Sequence, residues 1–366
     1  MRHFFSVFLT RCLLPAVMAA CFSPVVSAQP SGAQGNDFLY KVLRNDNLIS
    51  LAAKYTNSEQ NWRALQELNH VTDPRQLPIG MQLRIPFHMI PQIPGDAIVS
   101  HVSGEAWLDQ QSLKAGAAIA EGNTIRTGSR GFVALRLSDG STITIPPDAS
   151  VSIKRLRVFQ KTPLTDTILS IENGQIDSTV APEKTGVGRF EVHTPVSITG
   201  VRGTRLRVQA TADGANSVVI EGSAQLNTSN NDSARLQANQ GATISNSGQL
   251  QGVSTLLAAP QLPAIDPADH SGRLAFPPVN GAESYLVRVT TDPEGHNPVS
   301  RQLTQEPVAT FSRSARQTYL QVRAIDPDGM GGLDGVTAIP AGRALLSSDG
   351  TPVFTGYSDV VRLTEY

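Results

Sequence analysis

The feature that most limits what this chain can fold into is two-residue alternation broken by tight turns. Val133, Leu135 and Leu137 alternate, Asp139-Gly140 turns, and Ile143 and Ile145 alternate again. A period of two places one set of side chains on one face of a strand, and Asp-Gly between two such runs is a strong hairpin signal. The same grammar recurs. Leu169 and Ile171 lead into Asn173-Gly174, a second candidate hairpin. Phe190 and Val192, Leu206 and Val208, and Val218 and Ile220 read as further strands, and Glu221-Gly222 turns into Ala224 and Leu226. Residues 97–250 are therefore expected to be all-β. Composition agrees: with 17% charged and 5% aromatic residues, 30 glycines and 24 prolines, the chain suits turn-rich β domains better than helical bundles. At 366 residues it is expected to hold two to three domains. A net charge of −1 and the lack of a basic domain speak against a nucleic-acid partner.

The N-terminus reads as an export signal. Arg2 and Arg11 precede the apolar stretch Cys12–Cys21, and Val26-Ser27-Ala28 supplies small residues for cleavage after Ala28. The stretch lacks the ~20 unbroken apolar residues of a membrane span, so no transmembrane segment is expected after cleavage. Both cysteines lie inside residues 1–28, which leaves the mature chain no thiol, disulfide or Cys-ligated metal. An alternative is lipidation of Cys21, since Met18-Ala19-Ala20-Cys21 faintly resembles a lipoprotein box. The expected location is the periplasm or cell envelope.

Residues 37–87 carry a strand–helix–helix–strand pattern. Tyr40-Lys41-Val42 alternates, Asn47 is a good N-cap, and Leu48, Leu51, Ala52 and Tyr55 fall on one helical face. Ser58 is expected to cap a second helix with Trp62, Leu65 and Leu68 on or near its inner face. Pro78-Ile79-Gly80 turns into Met81, Leu83 and Ile85, which alternate up to Pro86. Residues 29–36 read as a flexible linker, 88–96 as a Pro-rich linker and 251–270 as another. From Arg273, Leu274-Ala275-Phe276, Tyr285–Val289 and Tyr319–Ala324 suggest a last sandwich at 271–340, with C-terminal strands or a tail at 341–366.

These residues carry two resemblances. Residues 37–87 resemble the LysM family: Tyr40-Lys41-Val42 matches its first strand, and Asn45-Asp46-Asn47-Leu48 stands where Gly-Asp-Thr-Leu is usual. Trp62, Leu65, Asn69, Asp73, Pro74, Leu77, Pro78, Gly80, Leu83, Ile85 and Pro86 complete the pattern in order. Residues 97–250 resemble the FecR family through Gly104, Thr127-Gly128, Asp139-Gly140-Ser141, Thr194-Pro195, Val201-Arg202-Gly203-Thr204, Glu221-Gly222 and Gly241. Residues 271–340 more weakly resemble a fibronectin type III sandwich. The expected fold class is multidomain: a small α+β (βααβ) module, an all-β FecR-like domain and an all-β C-terminal sandwich.

The LysM resemblance implies peptidoglycan as partner, with N-acetylglucosamine glycan held between two loops. The expected glycan-binding residues are Asn45, Asp46, Asn47, Leu48, Leu77, Pro78 and Ile79, with Leu48 or Ile79 packing on the acetamido methyl. Each has a plainer reading: Asn47 caps, Leu48 packs, Pro78 turns. Trp62 reads as core rather than as a sugar platform, and Trp107 as a half-buried strand residue. Arg202, Arg205 and Arg207 with Lys154, Arg155 and Arg157 could form a basic stripe for an anionic polymer, though a solvated strand face is preferred. Asp326, Asp328, Gly329, Gly331, Gly332 and Asp334 superficially resemble a calcium loop but lack EF-hand spacing, so an Asx turn is the better reading.

No catalytic residue, metal or cofactor is expected. The histidines are scattered without metal-ligand spacing, and no nucleophile elbow or phosphate loop is present. The sequence therefore reads as a non-enzymatic envelope protein that binds peptidoglycan and presents the FecR-like domain to another envelope protein or a signal. The alternatives are a periplasmic FecR-type signalling regulator and a peptidoglycan-modifying enzyme. A sigma-regulating segment and membrane span, usual before the FecR domain, are absent here, and residues 1–87 occupy that place.

Overall fold

A computed structural model describes residues 32–34, 36–181, 187–201, 203–269, 271–342, 347, 348 and 353. The expected signal peptide with Cys12 and Cys21, Arg202, and nearly all of 343–366 lie outside the described residues. Three bodies follow one another: a small α+β module, a large all-β body and an all-β C-terminal sheet pair.

In the first, β1 (Gly32–Gln34), β2 (Asp37–Lys41) and β3 (Gln82–Pro86) form an antiparallel sheet with β2 in the centre. Helices α1 (Leu48–Thr56) and α2 (Trp62–Asn69) cover it. The predicted helical face is the buried one, with Leu48, Leu51, Ala52 and Tyr55 in the core. Asn47 caps α1 as expected, its Oδ1 accepting from the Ser50 amide at 2.8 Å. Ser58 makes no side-chain cap; a 3-10 turn over Glu59–Asn61 leads into α2 instead. Asn69 ties α2 to β3 by donating to the Leu65 and Arg84 carbonyls while accepting from the Arg84 amide. Gly32–Gln34 is a strand rather than part of a free tether.

The all-β body spans Gln92–Thr255 and consists of two long sheets that the chain visits in turn. The hairpin at Asp139-Gly140 forms as predicted, with Val133 opposite Ile145 and Leu135 opposite Ile143. Asn173-Gly174 is a correction. It is a corner inside one strand, Thr165–Thr179, that serves both sheets. The half before Gly174 pairs with Ser150–Phe159 and, in parallel, with Val187–His193. The half from Gly174 onward pairs with Arg205–Thr211 and Thr142–Ile145. Gly174 sits at φ +94°, and a Cβ there would lie 2.6 Å from Ala149, so glycine is required for the turn and for the close approach. Glu221-Gly222 turns into Ala224 and Leu226 as expected, and that turn carries the chain from one sheet to the other. The core between the sheets is aliphatic apart from Phe190, filled from Ala97 to Ile244 by alternating residues of both.

The expected Pro-rich linker at 88–96 is no free spacer. Gln92–Pro94 adds to the body's sheet by pairing with Arg157–Phe159. Phe87 stacks on Phe159, and Phe159 and Leu164 belong to the same apolar cluster as the LysM-like core. The expected linker at 251–270 is also engaged: Leu250–Thr255 is a strand, and the Leu333 amide donates to the Leu257 carbonyl.

In the C-terminal part, Arg273–Ala275 pairs with Val308–Thr310. Opposite lies a four-stranded antiparallel sheet of Pro298–Thr304, Ser284–Thr290, Thr318–Ile325 and Gly331–Ile339. Tyr285, Val287, Val289, Leu320, Val322 and Ala324 point into the core between them. The other face of the four-stranded sheet, carrying Arg288, Gln321, Arg323 and Asp334, lies against the all-β body.

Candidate functional site

The two loops expected to flank a glycan are brought together by a backbone bond. The Leu48 amide, first in α1, donates to the Pro74 carbonyl at 2.8 Å. At the far end the Gly80 amide donates to the Val42 carbonyl, and the Met81 amide to that of Pro78. Asn45 holds φ +72°, the left-handed conformation that its amide side chain tolerates.

The seven expected residues separate by exposure. Asn45, Pro78 and Ile79 are exposed, and Ile79 leaves 71% of its surface in solvent. Leu48 is wholly buried and Leu77 nearly so, so neither can pack on a sugar methyl; both are core. Asp46 is committed within the module, accepting from the Tyr40 hydroxyl and the Leu43 amide, both at 2.7 Å. Burial and then the Asp46 carboxylate push the Tyr40 hydroxyl well above its ordinary range, so it remains a donor. Asn47 is committed to the cap. The loop pair thus offers one large apolar side chain, a proline and backbone groups. Trp62 is half-buried against the core, with the Arg63 guanidinium 5.3 Å from its ring centre.

Two of the FecR-like motifs, at Gly203-Thr204 and Glu221-Gly222, meet at the crossover between the two sheets. The Thr204 hydroxyl donates to the Ser223 carbonyl at 2.8 Å, and the Val180 amide to the Thr204 carbonyl. Gly222, at φ +85°, faces Gly203 so closely that a Cβ would lie 2.7 Å from its carbonyl oxygen. The motifs' role here is to let two connections cross.

Among the described residues the alternative of a basic stripe is not met. Arg155 pairs with Asp166 and Arg157 with Glu121, each within its own sheet region. Lys154 is exposed, as the solvated-face reading has it, but Arg207 is 4% exposed and departs from it. Its guanidinium reaches Asp334 at 2.6 Å and the Gly332 carbonyl at 2.7 Å. Arg323 bridges Asp334 at 2.9 Å and Asp177 at 3.2 Å, and Arg288 reaches the same two carboxylates at 3.3 and 3.4 Å. Three arginines and two aspartates thus join the body to the C-terminal sheet. Burial raises the Asp177 and Asp334 carboxyls, but the arginine fields outweigh it and hold both below the ordinary carboxylate range, Asp334 well below.

Sequence reasoning missed this network, although Asp334 had been singled out for another role. The available signal was Arg288 and Arg323 inside apolar strands, where an unpaired charge is costly. The Asx reading of the neighbouring loop fits: Asp326 accepts from the Asp328 and Met330 amides. Among the described residues, Asp292, Glu294 and His296 place potential ligand atoms within 4.8 Å of one another. The Asp292 carboxylate there accepts from the His296 and Asn297 amides, which accounts for the loop without a metal.

Residues 40–86 match the LysM domain family, and residues 123–225 match the FecR protein family. The chain carries a LysM domain followed by a FecR domain. The LysM match coincides with the βααβ module, and the FecR match covers the middle of the all-β body, whose sheets continue on both sides of it. LysM and FecR are binding and regulatory domains rather than enzyme families. LysM implies peptidoglycan binding, and the pair is typical of envelope or periplasmic proteins. No curated protein matches the chain. Two crystal structures of a candidate anti-sigma factor from Parabacteroides distasonis, at 1.65 and 2.50 Å, are similar over 36% of this chain and 59% of theirs. Identity is 15% and 16%, and the TM-score is 0.30 for each. The chain thus spans under two thirds of the length of those structures. No helix among the described residues is long and apolar enough to cross a membrane.

Proposed function

We propose that this protein is a non-enzymatic, exported envelope component. Its LysM domain holds the N-acetylglucosamine glycan of peptidoglycan, and its FecR domain faces another envelope protein or a signal. The observation that carries the reading is the loop pair tied by Leu48 to Pro74, with Ile79 standing exposed on its rim. A sugar needs backbone donors and acceptors plus a small apolar contact for its methyl, and this loop pair supplies both without a deep pocket. Asn45, Pro78 and Ile79 are the side chains offered to glycan. Asp46, Asn47, Leu48 and Leu77 shape the loops from behind. A lone module binds modestly, and avidity comes from the repeating polymer.

Residues 1–28 would direct export, with Cys21 lipidation as the alternative anchor. The C-terminal sheet pair, with two strands facing four, suits a fibronectin type III-like spacer docked on the FecR domain. The FecR family match also favours a second reading, a periplasmic signalling regulator whose LysM domain reports on the wall.

Cosedimentation of the full chain with purified peptidoglycan tests the main reading. Wild-type protein is expected in the pellet and Ile79→Ser largely in the supernatant. Folded wild-type protein that stays in the supernatant would exclude wall binding.

A further inference from the structure

The network between the FecR domain and the C-terminal sheet is not neutral. Arg207, Arg288 and Arg323 face only Asp177 and Asp334 within it, an excess of one positive charge in a buried place. Arg207, Arg288 and Arg323 are 4%, 6% and 2% exposed. The Nε of Arg288 is buried with no hydrogen-bond partner among the described residues, and that of Arg207 lies 3.6 Å from the Asp177 carboxylate, an ion pair too long for a hydrogen bond. A buried donor left unmet is costly, more so on a charged group.

Beside this network a cavity of about 230 Å³ opens between the two domains, and Arg288 is part of its wall. Arg301 stands at its exposed mouth, directly opposite Arg288 on the neighbouring antiparallel strand. Like charges placed directly across a ladder repel, so this pair needs something between or above it. Gln175 and Gln209 line the same space, and a second cavity of about 70 Å³ shares them with Arg207, Arg301 and Arg323. Asp148 is the acid on the wall of the larger cavity, and it accounts for one of the mouth charges. Burial, reinforced by Arg323, pushes the Arg207 guanidinium down to about 9. Burial lowers Arg288 too. Arg323, which holds both aspartates, moves the other way.

We infer that this interdomain cleft binds a small oxyanion, a carboxylate or phosphate group, between Arg288 and Arg301. The Gln209 amide would orient its remaining oxygens, since the Gln175 amide already donates to the Asp177 carboxylate. The Arg301 guanidinium suits such a ligand because its planar fork meets two oxygens at once, while Arg288, whose Nη atoms serve Asp177, Asp334 and Gln321, adds positive charge beside it. The site is independent of the LysM loops, so it stands or falls apart from wall binding. Occupation would also join the domains, since Arg288 and Arg301 come from the C-terminal sheet and Gln209 from the FecR domain.

The test is titration calorimetry on the full chain with inorganic phosphate and, separately, malonate, at ionic strength held constant with sodium chloride. Saturable binding of one or both is expected, and which one binds distinguishes a phosphate from a carboxylate ligand. Arg301→Gln should raise the dissociation constant at least about tenfold, and Arg301→Glu should abolish binding. Arg301 is exposed, so both variants keep the fold, which circular dichroism verifies. Arg130→Gln, on a remote exposed turn, should change nothing. Failure of folded wild-type protein to bind either anion, or equal binding by Arg301→Gln, overturns the inference.

Discussion

Phe87 at the end of the LysM domain and Phe159 on a strand of the FecR domain stack with ring centres 4.3 Å apart and planes 16° from parallel. Phe159 is 1% exposed and shares its apolar cluster with the LysM core, so the two domains are joined by a common interior. Truncating Phe87 removes one half of that stack. Phe87→Ala is expected to cost about 3–5 kcal/mol of stability, the usual range for a buried phenylalanine. Urea unfolding followed by fluorescence measures it, and peptidoglycan binding by the folded fraction should persist.

Ile79 and Leu48 lie in the same loop pair and should fail in opposite ways. Ile79→Ser removes an exposed side chain, leaving the melting temperature unchanged while weakening glycan affinity about three- to tenfold. Leu48→Ala empties a fully buried position and should destabilise the module by about 2–5 kcal/mol. Thermal melts and chitin-oligosaccharide titrations on both variants separate the two effects. A loss of stability in Ile79→Ser would place that residue in the core after all.

Asp334 accepts from three arginines, and its side chain is 8% exposed. Asp334→Asn leaves those guanidinium groups buried with a weaker partner. A cost of about 3–5 kcal/mol is expected, the range for breaking a buried ion pair from one side. Proteolysis should then cut first within residues 256–269, where the chain passes to the C-terminal sheet. Unchanged cleavage kinetics would count against a docking role for the network.

The same carboxylates set an acid limit. Asp177 and Asp334 are held below the ordinary carboxylate range in the folded protein, so the unfolded chain takes up protons first as pH falls. Their stabilisation is complete above the unfolded value of about 3.9 and is lost as pH drops through the lower folded values. The urea midpoint should hold at pH 5 and fall steeply below pH ~4. Asp334→Asn should show a shallower acid slope than wild type.

Replacing Asn47 tests the first helix alone. Asn47→Ala removes the acceptor for the Ser50 amide and should cost about 1 kcal/mol, read as a lower urea midpoint with an unchanged slope.

The sequence made the LysM domain legible because its signals are local. A cap at Asn47, a helical period through Tyr55 and a turn at Pro78-Ile79-Gly80 each act within a few residues. The Asp139-Gly140 hairpin was legible for the same reason. Gly174 was misread because the signature of a hairpin turn is also that of a corner, and only partners far along the chain distinguish the two. The spacers at 88–96 and 251–270 look free in composition, yet pair through backbone groups that composition does not encode. Of the candidate glycan residues, the loop location was readable. The division between exposed Ile79 and buried Leu48 was not, since both are aliphatic and only packing decides. The apolar strands around Arg288 and Arg323 call for buried partners, but the partners across the seam lie more than a hundred residues away, so no local pattern names them.

The strand Thr165–Thr179 has a mechanical consequence. A chain held to the wall at the LysM domain and pulled through its C-terminal sheet carries tension along a defined route. The load passes from Gln92–Pro94 to Ser150–Phe159, then into the first half of Thr165–Thr179. It leaves through the second half to Arg205–Thr211 and reaches the far domain at Arg207. Neither sheet can be peeled away from the other while that strand holds. The route ends at the seam of Arg207 and Asp334, where Met330 also packs with Val218 of the FecR domain, so tension reaches the C-terminal sheet through side chains as well as through the backbone.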